Sequence, residues 1–543
     1  MNGALSLVES LRQLGAELVF GLPGVHNLPI WKALSESGIR LVSVRHEQTA
    51  VYAADGYART TGRLGVAVVT TGPGAANTLG ATGEAMASGS PVLVIATDIA
   101  TSLRREGVYG GTLHETRDQT AMFRPVTKAA NLVASVEEIP GAVIESGSTA
   151  LAASTGPVYL GVPTDLLSKD ISESVPSIAN AIPVTAISDG QLDQAARLLG
   201  QAQRPMIWAG GGALRADAGQ PIGALALALA APVVTTYLSR GLLSPDHPCA
   251  VPGPVHAEEV GALWDEADVV LAIGTDFDGT MTQNWQMPQP PTLISVNVDS
   301  AEASKNYASD LTLVGDARAV LEQLLPRVDE RGDVDTLARR LAGIGAQVSA
   351  WVQADDEQAA GLLDVVHRAL PPDAVVVTDM CIPGYWLSGY WQAPGPRRLA
   401  YPLGWGTLGF GFPASLGAAL AGRGPTVCVC GDGGFMYACG ELATAVQERI
   451  PLTLVLVDDG GYGMLRFDQV QSGETPFGVD LVTPDFVALA NSFGVPACTV
   501  EGFGSEFERE LRDSIAGERL RMIVVHATLK PPPTTSPRWY RKR

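Results

Sequence analysis

Short runs of β-branched and other apolar residues alternate with longer stretches of helical periodicity from one end of the chain to the other. This alternation is typical of α/β domains with parallel sheets, in which helices connect the strands. It separates into three blocks, which we place at residues 1–170, 186–330 and 355–543. A Ser-, Pro- and Ala-rich stretch at 172–187 indicates a linker, and a charged, glycine-interrupted helical pattern connects the second block to the third. The sequence therefore predicts three doubly wound α/β domains.

The first and third blocks contain a similar unit, in which an apolar run ends in a glycine turn, a helical stretch follows, and a second apolar run begins at a proline. The turn glycine and the proline are Gly72 and Pro91 in the first block, and Gly431 and Pro451 in the third. The similar spacing indicates two copies of one doubly wound domain. Ligands of such domains bind beyond the carboxyl ends of the strands, so both turns are candidate binding sites.

The middle block contains another glycine turn, at 210–212, directly after the apolar run 205–209. The third glycine of a dinucleotide-binding fingerprint is replaced there by Arg215. We therefore interpret this turn as a structural part of a central Rossmann-like domain, and only weakly as a nucleotide site.

The composition describes an acidic globular protein. Of 543 residues, 46% are hydrophobic and 17% are charged, as in folded soluble proteins. The net charge of −20 argues against binding to nucleic acids or to anionic membrane surfaces, which require clustered Lys and Arg. The most apolar run, 222–234, is broken by Pro232 and is too short to span a bilayer. The six cysteines lack zinc-site spacing and the first residues lack a signal-peptide pattern, so we expect reduced thiols and a cytoplasmic protein.

The glycine turn of the third block carries an acid where a phosphate could bind. Backbone N–H groups of the turn 431–434 can approach a phosphate closely, and the following helix N-terminus adds a favourable dipole. Asp432 would repel a phosphate unless a cation lay between them, and Mg²⁺ binds both kinds of oxygen. The next strand ends in Asp458 and Asp459; neighbouring parallel strands are about 4.8 Å apart, so Asp459 can reach the same ion. Taken alone, the pattern also fits an aspartate that caps a helix beside a solvated turn.

Several motifs together resemble those of the thiamine-diphosphate-dependent enzymes of the acetolactate synthase and 2-oxoacid decarboxylase superfamily. Gly-Asp-Gly at 431–433, then residues 434–457, then a polar pair correspond to the diphosphate-binding motif of that family. The other matching motifs, which follow the family's order along nearly the whole chain, are at 21–24, 45–48, 53–59, 71–74 and 401–413. The resemblance implies a pyrimidine-binding, a central and a diphosphate-binding domain.

The resemblance also implies roles for the residues that match. Asp432, Asp459 and the carbonyl of Gly461 would bind Mg²⁺. Glu47 would hydrogen-bond the aminopyrimidine ring of thiamine diphosphate, and Leu408 would hold the cofactor in its bent form. Further cofactor contacts are expected at Pro23, Thr71, Asn77, Gly406, Gly431, Gly433, Gly434, Tyr462, Gly463 and Met464. Because the family builds its active site between subunits, the resemblance implies a homodimer or homotetramer in which Glu47 of one chain meets Asp432 of another.

Two departures from the family's pattern matter. Where the family usually has two Asn, this chain has Asp458 and Asp459; we expect tight metal binding, while the extra charge leaves the diphosphate affinity open. Flavin-binding acetolactate synthases usually carry an Arg and a Lys where this chain has Thr155 and Thr164. These differences argue against FAD and against the biosynthetic acetolactate reaction.

The substrate is less determined by the sequence. Val25 and Thr70 stand where benzoylformate-decarboxylase relatives have a Ser and a catalytic His. His114 falls where acetolactate synthases have an active-site Gln, and His26 lies in the turn after the first strand. Either histidine could transfer protons near neutral pH, and either could be an ordinary loop residue. Short stretches around both are similar to decarboxylases of guanidino-type 2-oxoacids.

The sequence therefore predicts thiamine-diphosphate- and Mg²⁺-dependent decarboxylation of a small-molecule 2-oxoacid, with the product protonated or ligated to a second carbonyl compound. Three alternatives stay open: an acetolactate synthase-like carboligase acting on pyruvate, a hydrolase of a C–C bond in a cyclic dione, and a non-catalytic cofactor-binding homologue. The presence of Glu47 and Leu408 argues against the last.

Overall fold

The computed structural model describes residues 1–105, 107–171 and 187–533. The predicted linker at 172–187 lies outside the described residues except for its last position. Each of the three blocks forms one parallel sheet with helical connections. The prediction of three doubly wound α/β domains is confirmed, whereas the exact domain boundaries stay a prediction.

The described residues of the first domain form six strands and seven α-helices. Its strands are β1 (Leu18–Gly21), β2 (Arg40–Ser43), β3 (Gly65–Val69), β4 (Val92–Asp98), β5 (Ala129–Leu132) and β6 (Val158–Pro163). Its helices are α1 (Gly3–Gln13), α2 (Leu28–Ser35), α3 (Glu47–Thr61), α4 (Pro73–Ala76), α5 (Leu79–Ala87), α6 (Gln119–Phe123) and α7 (Glu138–Leu151).

The middle domain contains five strands, and one long helix connects it to the third domain. The strands are β7 (Pro205–Ala209), β8 (Val233–Thr235), β9 (Val269–Ile273), β10 (Thr292–Asn297) and β11 (Leu311–Val314). The helices are α8 (Asp189–Gln201), α9 (Gly211–Arg215), α10 (Gly219–Leu229), α11 (Glu258–Glu266), α12 (Ser300–Ser304), α13 (Ala317–Leu324) and the connecting α14 (Val334–Asp355).

The third domain again contains six strands. They are β12 (Val375–Thr378), β13 (Leu399–Ala400), β14 (Thr426–Gly431), β15 (Thr453–Asp458), β16 (Ala497–Glu501) and β17 (Arg521–His526). Its helices are α15 (Glu357–Ala369), α16 (Ile382–Tyr390), α17 (Gly411–Leu420), α18 (Asp432–Met436), α19 (Leu442–Gln447), α20 (Gly463–Gln471), α21 (Phe486–Ser492) and α22 (Ser505–Ala516).

The first and third sheets have the same strand order, as the internal similarity of the sequence predicts. The order is β2-β1-β3-β4-β6-β5 in the first sheet and β13-β12-β14-β15-β17-β16 in the third. The middle sheet runs β11-β10-β9-β7-β8, which is the flavodoxin-like order. In each outer domain the chain therefore reverses direction across the sheet after its second strand, and the switch point lies between the first and third strands, beyond whose carboxyl ends a crevice is expected.

Both faces of each sheet are buried, which explains the continuous apolar runs in the sequence. In β14, Val427 and Val429 face one core, whereas Cys428 and Cys430 face the other. The sequence predicts this alternation within a buried strand. All six cysteines lie within the described residues, and none forms a disulfide.

The first and third domains pack together through α3 and α17. A Cβ on Gly56 would lie 2.0 Å from the carbonyl oxygen of Ala414, and a Cβ on Gly417 would lie 1.8 Å from that of Ala53. These positions have no room for a side chain, so glycine allows the two helix backbones to touch. The contact fixes the orientation of the two outer domains within one chain.

No helix in the described part of the chain combines the length and the hydropathy needed to span a bilayer.

Candidate active site

A cavity of about 260 Å³ opens at the carboxyl ends of β14 and β15. Leu408, the turn 431–434 and Asp459 line it, together with residues 461–464. These are the cofactor and metal contacts predicted for the third domain, with the exception of Gly406, which does not line the cavity. Strand register explains the convergence, because Gly431 of β14 pairs with Val457 of β15 and both chains turn just beyond.

Two carboxylates lie at this cavity, that of Asp432 buried and that of Asp459 half-buried. Asp432 is 1% exposed, and its Oδ2 has no hydrogen-bond partner among the described residues. Burial and then the charge of Asp459 raise the pKa of Asp432 to about 7. Burial also raises the pKa of Asp459, against the opposing charge of Arg466. A buried, unpaired carboxylate is costly, and a divalent cation between the two would remove the cost.

The donor set fits Mg²⁺ rather than an all-protein metal cage. No cluster of three or more His, Cys, Asp or Glu side chains arranged for a metal occurs among the residues that the structure describes. Mg²⁺ is typically bound by one or two carboxylates and completes its shell with phosphate oxygens and water. Asp432, Asp459 and the carbonyl of Gly461 supply such a partial set.

The turn that surrounds these acids has no room for side chains. A Cβ on Gly433 would lie 2.7 Å from the ring of Tyr462, and a Cβ on Gly463 would lie 2.1 Å from Asp459 Oδ2. The backbone can therefore approach a ligand closely, as a diphosphate at a helix N-terminus requires.

The loop that carries Leu408 is held by two buried carboxylates. On its first side, Glu84 accepts hydrogen bonds from the backbone N–H groups of Gly404 and Trp405, at 3.3 and 3.0 Å. On its other side, Asp379 accepts one from the backbone N–H of Gly409 at 3.1 Å. Burial raises the pKa of Asp379 to about 6, although backbone donors oppose the shift. The position of Leu408 over the cavity is thus set by groups distant from it in sequence.

In the first domain, Glu47 begins α3 and is 9% exposed. Its Oε2 accepts a hydrogen bond of 2.9 Å from Asn77 Nδ2, so two of the predicted cofactor contacts are joined. A Cβ on Gly74 would lie 3.4 Å from Glu47 Oε1, which places the carboxylate against the glycine turn after β3. Glu47 is therefore both the acid in the first turn of α3 and a predicted cofactor contact.

The ends of β3 and β4 are tied together by Gln119. Its Oε1 accepts a hydrogen bond of 2.6 Å from the backbone N–H of Gly72, and its Nε2 donates one of 2.9 Å to the carbonyl of Thr97. The hydroxyl groups of Thr71 and Thr97 are 3.0 Å apart. The predicted contact Thr71 is fully buried below this turn.

His26 and His114 lie together in the same crevice. Their ring centroids are 5.2 Å apart in an edge-to-face arrangement, and neither Nδ1 has a hydrogen-bond partner among the described residues. Burial and the neighbouring His114 lower the pKa of His26, with the charge of Asp98 opposing. The backbone of His114 has a φ of 66° and covers Gly72, where a Cβ would lie 2.4 Å from the His114 carbonyl oxygen. The Nδ1 atoms of both rings are thus available for hydrogen bonding or proton transfer.

The predicted residues form two separate groups within one chain. Asn77, Glu47, Thr71 and the two histidines belong to the crevice of the first domain, and none of them lines the cavity of the third. Pro23, in the turn after β1, is exposed.

Glu84, Asp379 and Gln119 were not predicted from the sequence. Asp379 directly follows the buried strand β12, just as Asp432 follows β14, so the same signal of an acid at a strand end was present. Glu84 stands as a single acid among small residues in α5. Gln119 has no comparable local signal.

The glycine turn of the middle domain faces a cavity of about 800 Å³ between the first and middle domains. Arg215 extends across this turn. A Cβ on Gly211 would lie 3.5 Å from its guanidinium, which also donates a hydrogen bond to the carbonyl of Ser88. The guanidinium of Arg215 therefore lies against the turn, at the edge of the cavity.

Models of the thiamine pyrophosphate enzyme family match all three domains. The N-terminal TPP-binding domain matches residues 1–122, the central domain 192–324 and the C-terminal TPP-binding domain 380–526.

Similar proteins cover almost the whole chain. A probable 2-ketoarginine decarboxylase of Pseudomonas aeruginosa is 37% identical, over 96% of this chain and 93% of that protein. The large subunit of acetolactate synthase isozyme 3 of Escherichia coli is 32% identical, over 97% and 95%. A probable acetolactate synthase large subunit of Methanocaldococcus jannaschii is 31% identical, over 95% and 90%. With the domain order and the site described above, these matches show that the chain belongs to the thiamine pyrophosphate enzyme family, as a decarboxylase or carboligase of the 2-oxoacid type.

Proposed function

We propose that the protein catalyses thiamine-diphosphate- and Mg²⁺-dependent decarboxylation of a 2-oxoacid with a guanidino-type side chain. The observation that carries the cofactor assignment is the buried, unpartnered Asp432 beside Asp459 at a glycine turn. Asp432, Asp459 and the Gly461 carbonyl would hold Mg²⁺, and the backbone of 431–434 the diphosphate. When bound, thiamine diphosphate supplies the electron sink for the charge left by loss of CO₂.

The side chains of the protein itself would position the bound molecules, exclude water and transfer protons. Glu47, held by Asn77 at 2.9 Å, would accept or share a proton at its other carboxylate oxygen with the aminopyrimidine ring of the bound cofactor. Leu408, Ile382 and Leu529 line the cavity and exclude water, which strengthens the interactions of the carboxylates. His26 and His114 donate a proton at a ring nitrogen to the product after CO₂ departs.

The guanidino-type substrate is supported by the similarity to a probable 2-ketoarginine decarboxylase. The acetolactate synthases among the similar proteins support carboligation as the second candidate. The two differ in the fate of the decarboxylated product, which is protonated in one case and joined to a second carbonyl compound in the other.

We infer a homodimer or homotetramer with active sites between subunits. The support is the separation of Glu47 from the cavity at Asp432, since both must contact one cofactor. We further propose that the enzyme contains no FAD, supported by Thr155 and Thr164 where flavin-binding acetolactate synthases usually carry an Arg and a Lys. Six cysteines without a disulfide support a cytoplasmic location.

The test is to incubate the purified protein with thiamine diphosphate, Mg²⁺ and a panel of 2-oxoacids, with and without acceptor aldehydes or pyruvate, and to measure CO₂ and products. We also expect the variant Asp432→Ala to lose Mg²⁺-dependent binding of thiamine diphosphate, which calorimetry measures. If the protein binds the cofactor but turns over no 2-oxoacid, the proposal is wrong. Light scattering across a dilution series and the absorbance of the purified protein above 400 nm test the oligomer and the absence of a flavin.

A further inference from the structure

Asp98 is a buried carboxylate at the crevice of the first domain that the cofactor does not use. It is the last residue of β4, the strand beside the glycine turn that carries Gly72. The side chain is 3% exposed, and its charge acts on His26. A buried carboxylate requires a cationic or hydrogen-bonding partner.

The partner of Asp98 is a guanidinium. Arg104 Nη2 lies 2.7 Å from Asp98 Oδ2. The two atoms are close enough for an ion pair, but no N–H group of Arg104 points at Oδ2 with the geometry of a hydrogen bond. Arg104 reaches it from the connection after β4, and its own side chain is 35% exposed. A half-exposed arginine thus places its cationic end on a buried acid beside the histidine pair.

The ion pair between Arg59 and Asp55 in the same domain differs from that between Arg104 and Asp98 in burial and in hydrogen-bond geometry. Arg59 is 9% exposed and forms two aligned hydrogen bonds of 2.8 Å with Asp55, the fork geometry that makes such pairs strong. Arg104 makes one unaligned contact and stays accessible from solvent. A free guanidinium that aligned both N–H groups on Asp98 would bind it better than Arg104 does.

Other carboxylates around the crevice are already engaged. Glu47 accepts from Asn77, and both oxygens of Glu115 accept backbone N–H groups, those of Gly110 and Thr112. Asp98 Oδ1 likewise accepts a hydrogen bond of 2.7 Å from the backbone N–H of Ile99, whereas Asp98 Oδ2 faces the side chain of Arg104, which can move away.

We propose that Asp98 is the recognition site for the cationic end of the substrate, and that Arg104 is a stand-in that the substrate's guanidinium displaces. The inference rests on the proposed function, and it adds the residue that distinguishes a cationic 2-oxoacid from a neutral one. The exchange is one of guanidinium for guanidinium on the same carboxylate, so no buried charge is left unpaired before or after binding.

The test compares 2-oxo-5-guanidinopentanoate with 2-oxo-5-ureidopentanoate, which has the same shape without the charge. The readout is the ratio of the two kcat/KM values. The wild type is expected to favour the guanidino acid, and Asp98→Asn to lower the ratio by about 30-fold or more, the usual effect of removing one partner of a buried ion pair. A wild-type ratio near one, or an unchanged ratio in Asp98→Asn, overturns the proposal.

The variant Arg104→Ala tests whether Arg104 competes with the substrate for Asp98 or only stabilises the fold. It also gives a second test if Asp98→Asn does not fold. Removing the competitor is expected to raise the ratio and to lower the KM for the guanidino acid, whereas Arg117→Ala, a change at an exposed arginine on the same connection, leaves the ratio unchanged. A lower ratio in Arg104→Ala overturns the displacement step.

A binding measurement is independent of the cofactor. In calorimetry with the cofactor-free protein, 5-guanidinopentanoate is expected to bind more tightly to Arg104→Ala than to the wild type, and 5-ureidopentanoate equally to both. Equal affinities for the guanidino compound overturn the proposal. A wild type that favours the guanidino acid, with an unchanged ratio in Asp98→Asn, defeats this inference alone, whereas no turnover of any 2-oxoacid defeats the proposed function.

Discussion

The buried carboxylate of Asp379 accepts a hydrogen bond of 3.1 Å from the backbone N–H of Gly409, the residue after Leu408. Glu84 binds the same loop from its other side at Trp405. The loop of Leu408, the predicted apolar support for a bent cofactor, is therefore held by two acids from different domains.

Asp379→Asn is expected to change the pH dependence of stability. Burial raises the pKa of Asp379 from 3.8 to about 6 in the folded protein, so between these values it is neutral when folded and charged when unfolded. The stability that it contributes is therefore fully present below about pH 3.8 and is lost as pH rises to about 6. The loss amounts to about 3 kcal/mol. Asn carries no such titration, so the wild type should lose stability relative to the variant across this range.

The measurement is the free energy of unfolding in urea at several pH values between 4 and 7. Asp364→Asn, at a largely exposed acid of the same domain, is the control and should follow the wild type. Parallel pH curves for the wild type and Asp379→Asn would contradict the assignment.

Glu47→Gln is expected to reduce turnover by about 10²-fold or more, since the amide cannot exchange a proton with the aminopyrimidine ring. Binding of Mg²⁺ and the melting temperature should stay close to those of the wild type, because the amide oxygen can still accept from Asn77. Glu137→Gln, at an exposed position, is the matched control. An active Glu47→Gln enzyme would remove Glu47 from the mechanism.

Asp458→Asn is expected to tighten thiamine diphosphate binding by about fivefold at saturating Mg²⁺. The Asp458 carboxylate adds to the negative charge around Asp432, and removing it relieves about 1 kcal/mol of repulsion towards the diphosphate. Calorimetric titration of the cofactor measures the effect, with the exposed Asp513→Asn as the control. Weaker binding in Asp458→Asn would show that this acid is a ligand instead.

Gly417→Ala is expected to destabilise the protein by about 2 kcal/mol or more, because its Cβ would meet the carbonyl oxygen of Ala53 at 1.8 Å. Gly141→Ala, in the helix α7 with nothing within 4 Å of the new Cβ, should be neutral or stabilising by up to about 1 kcal/mol. Thermal unfolding of both variants measures the difference. Equal melting temperatures would mean that α3 and α17 can separate without cost.

The positions of some candidate site residues could be predicted from local features of the sequence. Asp432 and Asp459 follow apolar strands within one repeated unit, and parallel pairing of neighbouring strands then brings their side chains to one edge. The same logic applies to Glu47, which begins a helix directly after a strand and a short turn. These positions were predictable because strand ends and helix starts are local features, and family motifs fall on them.

Tertiary structure alone decided which distant groups support them. Glu84 and Asp379 reach the loop of Leu408 from other segments, Gln119 joins two strand ends, and Arg104 turns back onto Asp98. Such contacts depend on how loops and domains pack, since a single polar residue in a helix or loop has no periodic pattern that identifies its partner. The sequence therefore determined the fold class, the cofactor family and the positions of Asp432 and Asp459 at strand ends, whereas the packing of the domains determined how the loop of Leu408 and the carboxylate of Asp98 are held.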